Sequence, residues 1–215
     1  SQVCYLSNQF VFSGSQNKYI EMDIPDPNTV LGRTNSSSEF YLQKTSLNYI
    51  IFRCCHLYGR GESITQKSWF ESLQNNLLDG NTVIADGILK MGFLDVDYLG
   101  MLMKICFKKN VMNRLFQICS KDIESYYGFA KSYTQIFNEN VNLVKSGLWP
   151  LKVEKGYKIS ELQSYYLDSG NVEGFLNITM PTVSESIQYT YEKLNGSAEQ
   201  VQSSKKPKGI GVNFI

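Results

Sequence analysis

Short apolar runs alternate with stretches of about a dozen residues that read as helices, and this alternation constrains the fold more than any other feature. Residues 3–12 (VCYLSNQFVF) and 47–55 (LNYIIFRCC) read as strands, as do 82–85 and 114–119 (RLFQIC). Helices are expected over 32–44, 66–78 and 96–107, the last capped by Asp95. In the second, Trp69, Phe70, Leu73 and Leu77 share one face. Ser120 is expected to cap a long helix to about Phe137, and Asp168 a short helical turn. Thr182 and Glu185 form a Thr-x-x-Glu capping box for a last helix ending near Leu194. Such a chain builds an α/β fold with a largely parallel sheet. In that architecture ligands lie beyond the carboxyl ends of the strands, which directs attention to residues 7–12 and 56–61.

Composition excludes several classes. Of 215 residues, 42% are hydrophobic and 19% charged, a globular balance. The net charge of +1 argues against a dedicated nucleic-acid binder. No apolar run reaches the roughly 18 residues of a membrane span. Five cysteines (4, 54, 55, 106 and 119) lie in apolar runs without C-x-x-C spacing. They read as reduced structural thiols in a reducing intracellular compartment, the cytoplasm ahead of the mitochondrion. The chain starts at Ser1 and enters a strand almost at once, so it is expected to begin in mid-structure. The region 1–194 is expected to be one domain. Residues 195–215 are expected to be a flexible tail, with Lys205, Lys206 and Lys208 followed by the apolar GIGVNFI.

Residues 5–39 (YLSNQFVFSGSQNKYIEMDIPDPNTVLGRTNSSSE) resemble the middle of an extended short-chain dehydrogenase/reductase of the dTDP-4-dehydrorhamnose reductase type. They also resemble its relative, the regulatory β subunit of methionine adenosyltransferase. The family pattern there is Ile-Ser-Thr-Asp-Tyr-Val-Phe-Asp-Gly, an acidic-Pro-x-Pro stretch, then Tyr-Gly-x-(Ser/Thr)-Lys-x-x-Gly-Glu. Collinear matches follow at 50–59 (IIFRCCHLYG), 93–99 (FLDVDYL), 126–130 (YYGFA) and 167–169 (LDS). The resemblance implies a Rossmann-like NAD(P)-binding fold, incomplete at its N-terminus, with a small C-terminal substrate-type subdomain.

The family's chemistry passes a hydride between a nicotinamide and a sugar carbon. A tyrosine moves the proton, a lysine four residues later lowers its pKa and holds the ribose, and a Ser or Thr orients the reacting oxygen. On the matching positions this chain carries Leu31, Asn35 and Asn8. Leu31 has no transferable proton and Asn35 no charge. The glycine-rich cofactor turn has no match either, so NAD(P) binding is expected to be weak or absent, with Ser7 and Asn35 as the residual cofactor-side positions. Gln9, Phe10, His56, Tyr58 and Arg60 are the substrate-side candidates for a nucleotide sugar; an arginine such as Arg60 suits a diphosphate.

These substitutions favour a non-catalytic member acting as a structural or regulatory subunit among protein partners. A divergent nucleotide-sugar reductase or epimerase whose cofactor half lies outside this chain is the rival reading. A nucleotide sensor without turnover is the third. The first strand, read this way, is an uncovered sheet edge.

Overall fold

The computed structural model describes residues 2–61, 66–149 and 163–196. The expected tail from 197 onward and part of the 158–167 stretch lie outside them. Strand β1 (Val3–Asn8) pairs with β2 (Tyr49–Cys54), and β2 with β7 (Arg114–Ile118), both in parallel. Helix α1 (Val30–Thr45) lies over β1 and β2. Further parallel pairs extend the architecture: β3 (His56–Tyr58) with β6 (Phe93–Asp95), β4 (Val83–Asp86) with β8 (Val144–Gly147), and β5 (Lys90–Met91) with β9 (Ser164–Tyr165). The remaining helices are α2 (Trp69–Leu78), α3 (Val96–Lys108), α4 (Tyr126–Ile136), α5 (Gly170–Leu176) and α6 (Val183–Asn195). The α/β class and the parallel sheet are as the alternation implied. Among the described residues no helix is long and apolar enough to cross a membrane.

Two packed regions form the core. Ile50, Phe52 and Cys54 alternate along β2 and, with Phe116 and Ile118, meet Leu99, Leu102 and Cys106 of α3. The second region joins α2, α4 and α6 through Phe70, Leu73, Phe129, Tyr133 and Ile187. Phe70 and Leu73 are fully buried, a burial worth about 1.5–3 kcal/mol each.

Several boundaries differ from the sequence expectation, each for a local reason. The first strand stops at Asn8, because the Asn8 side chain accepts the Phe10 N–H at 3.0 Å and starts a 3-10 turn over Gln9–Val11. It is also not a buried strand: Val3 is 44% and Leu6 50% exposed, on an edge that β2 covers on one side only. Helix α2 begins at Trp69, three residues late, because Ser68 and Glu71 form a capping box. Ser120 caps no helix. It accepts the Phe93 N–H and donates to the Asp122 carbonyl, while the backbones of Met91 and Glu124 pair, so the helix waits until Ser125 caps α4. Asp168 is not the expected cap: Ser169 holds the N-cap position of α5 without a side-chain cap hydrogen bond, and Asp168, one residue earlier, accepts the Gly170 N–H; both halves of the Thr182–Glu185 box are present.

The five cysteines are free thiols; Cys4 is exposed and the other four are buried.

Candidate functional site

The residues matching the family's catalytic positions gather where β1 ends and α1 begins. Thr29 caps α1 by accepting the Gly32 N–H at 3.0 Å. This brings the helix so close to the 3-10 turn that a Cβ on Gly32 would collide with the Phe10 carbonyl. Alternation along β1 turns Tyr5 and Ser7 toward α1. The Tyr5 hydroxyl donates to Asn35 Oδ1 at 2.9 Å. Asn35 is buried, and its carbonyl oxygen is thus engaged from the strand. Leu31, one turn earlier, is 53% exposed. Ser7 Oγ is buried with no hydrogen-bond partner among the described residues. Asn8 is spent on the turn. This group offers an amide, a strand-borne phenol already donated to that amide, and an unpaired hydroxyl, with no ammonium beside them among the described residues. The residues present do not fit the proton relay or the ribose anchor of a nicotinamide reaction.

A second group lies past β2. His56 opens β3 and is ringed by Trp69, Phe93 and Tyr126, with ring centroids 5.2, 5.3 and 5.3 Å away. The Tyr126 hydroxyl lies 3.4 Å from His56 Nδ1. With the phenol as donor, Nε2 carries the imidazole proton, and Nε2 has no partner among the described residues. Trp69 Nε1 and Asp86 Oδ1 are likewise buried and unpaired. Asp86 Oδ2 is occupied, accepting the N–H groups of Ile88 and Leu89 at 3.1 and 2.8 Å. Burial lowers the His56 pKa to about 4, so the ring is neutral near pH 7 and too weak a base for proton abstraction there. Burial pushes the Tyr126 phenol up, and the nearby Asp86 carboxylate adds to the effect. Neutral, buried donors set among aromatic faces do not move protons near pH 7.

The remaining candidates disperse. Tyr58 is buried; its hydroxyl lies 2.8 Å from Ser186 Oγ and accepts from Thr190 at 3.3 Å, and burial raises its pKa. It anchors α6. Arg60 is exposed, and its Nε and Nη2 both donate to Gln74 Oε1, at 3.1 and 2.8 Å. Gln9 is buried and donates to Met91 Sδ at 3.6 Å. Phe10 packs edge-on to Tyr165 at 5.1 Å. Trp69, Asp86 and Tyr126 were not singled out as site residues from sequence. Trp69 reads as one more apolar residue on a helix face and Tyr126 as half of a tyrosine pair. Nothing in the sequence around Asp86 marks it.

The comparisons agree with this architecture. The family model described as the RmlD substrate binding domain matches residues 1–146. A search of curated proteins finds no match. Among solved structures, dTDP-4-dehydrorhamnose reductase from Bacillus anthracis, determined in complex with NADP, superposes with a TM-score of 0.74 at 18% identity, covering 90% of this chain and 66% of that one. A dTDP-4-dehydrorhamnose reductase from Clostridium acetobutylicum gives 0.71 at 20%, with the same coverages. UDP-N-acetylglucosamine 4-epimerase from Bacillus cereus gives 0.68 at 18%, covering 91% and 66%. The chain thus spans just under two thirds of the length of the reductases and epimerase it matches. With more than half of its residues matched by the family model, on a Rossmann-like parallel α/β fold, the chain belongs to the RmlD substrate-binding-domain family.

Proposed function

We propose that this chain is a nucleotide-sugar-reductase-like subunit that does not run the family's tyrosine–lysine hydride chemistry and serves a structural or regulatory role in a larger assembly. The observation that carries this reading is the pair Leu31 and Asn35. One presents hydrocarbon to solvent. The other has its carbonyl oxygen tied to Tyr5 at 2.9 Å, a strut joining helix to strand. Neither supplies a proton or a positive charge.

The edge of β1 supports the assembly role. Parallel strands are normally covered on both faces and both sides. Here Val3, Cys4 and Leu6 of β1 and Val30, Leu31, Phe40 and Tyr41 of α1 are exposed. A parallel strand followed by a helix, supplied by a partner polypeptide or by a further segment of the same gene product, fits this surface. The His56 group, which follows β2 at its carboxyl end, is where a nucleotide sugar would bind in this reading.

The test is a titration of the full-length gene product with NADPH and NADH, alone and with dTDP- and UDP-linked 4-keto sugars. The expected result is no cofactor oxidation above the buffer rate. Turnover would replace this reading with its rival, a divergent reductase or epimerase, which the 66% span of the solved reductases favours. Binding without oxidation would select a sensor.

A further inference from the structure

We propose that Cys55 and Cys119 are an oxidisable thiol pair whose disulfide would tie the ends of β2 and β7 together directly beneath His56. The ladder register sets Cys54 opposite Ile118, and the Cys55 N–H donates to the Ile118 carbonyl at 2.8 Å. The next residues, Cys55 and Cys119, therefore leave the sheet side by side. Neighbouring strands run about 4.8 Å apart, inside the roughly 4.4–6.8 Å Cα separation a disulfide requires.

A second observation is independent of the register. Cys119 Sγ and Cys55 Cβ both crowd the point where a side chain on Gly92 would start, so the two cysteines share one small space under the Gly92 backbone. The same Gly92 carbonyl accepts the His56 N–H at 3.0 Å. Any tightening between the two sulfurs is thus passed to the residue that carries the imidazole, and through it to Trp69.

The step needs a two-electron oxidant, and hydrogen peroxide is the class named here. One thiol loses its proton and the thiolate attacks the peroxide, breaking the O–O bond to give a sulfenic acid and hydroxide, which takes up that proton and leaves as water. The second thiol displaces that hydroxyl, forming the S–S bond and releasing a second water. Two thiols and one peroxide become one disulfide and two waters. Burial and the neighbouring Cys119 sulfur push the Cys55 thiol up, so Cys55 is protected near neutrality and reacts faster as pH rises.

The experiment treats the folded Cys4→Ser chain with hydrogen peroxide at pH 7 and pH 9, followed by non-reducing peptide mapping and tryptophan emission. The expected first product is a Cys55–Cys119 linked peptide, formed faster at pH 9, with an emission change that dithiothreitol reverses. Cys119→Ala should remove the link and the emission change while far-UV circular dichroism stays unchanged. If that variant unfolds, the mapping of the Cys4→Ser chain alone decides. A first linkage involving Cys54 or Cys106 would overturn the proposal. So would oxidation of the two sulfurs singly to sulfinic acids, or untouched buried thiols under conditions that link the urea-unfolded chain.

Discussion

Gly32 and Gly100 sit in helices and have opposite needs. A Cβ at Gly32 would drive into the Phe10 carbonyl, which is backbone and cannot rotate away, whereas among the described residues nothing lies within 4 Å of a Cβ at Gly100. Gly32→Ala should cost about 2–3 kcal/mol through overpacking, and Gly100→Ala should gain about 0.5–1 kcal/mol from helix propensity. Urea unfolding of both variants checks this. His56 makes a second prediction. Its pKa is about 4 in the folded chain against an ordinary value of 6.5, so between these values the unfolded chain binds more protons. The stability involved is fully present above pH 6.5 and is lost as pH falls through 4, by at most about 3 kcal/mol. His56→Asn should flatten the stability slope between pH 6.5 and pH 4; an unchanged slope would place the loss on carboxylates.

At the scale of elements, α1 is fastened to β2 by a buried ion pair. Arg53 donates from Nε and Nη2 to both Glu39 oxygens at 2.8–3.1 Å, and both residues are nearly inaccessible. Removing one partner strands a buried charge, so Glu39→Gln should cost about 3–5 kcal/mol, and Arg53→Met with Glu39→Met should cost less than either change alone. A double-mutant cycle by chemical denaturation measures the difference. Helix α6 is held by a network in which Lys193 meets Asp95 and Asp97 at 2.9 Å and Thr190 donates to Asp95 at 2.7 Å.

The long elements were legible because their patterns are local. Asp95 and the Thr182–Glu185 box mark their helices unaided. Ser120 misled because a serine before an apolar stretch satisfies the same local rule as Ser125, and only the pairing of Met91 with Glu124, far apart in sequence, chooses between them. The strands Lys90–Met91 and Ser164–Tyr165 have two residues each, too few to show a period. The site divides the same way. Asn8, Leu31, Asn35 and His56 were legible because a collinear motif numbers them. Trp69 and Tyr126 join His56, and Asp86 comes near Tyr126, only through folding.

At the scale of the whole molecule, the sheet has a paired side and an open one. Leu6 is half exposed on the open side, so Leu6→Lys should change the stability of this chain by less than about 0.5 kcal/mol while abolishing association with whatever strand covers β1. Co-purification from the native source, compared between the original and the variant, tests that pairing of outcomes. The fold is shared with dTDP-4-dehydrorhamnose reductases of solved structure, and Asn35 is tied into the scaffold by Tyr5. The most direct measurement is oxidation of NADPH by the full-length gene product in the presence of a dTDP-linked 4-keto sugar. The account predicts no rate above that of buffer, for the original chain and for Asn35→Ala alike. Turnover at about 1 s⁻¹ or faster, falling when Asn35 is replaced, would contradict it.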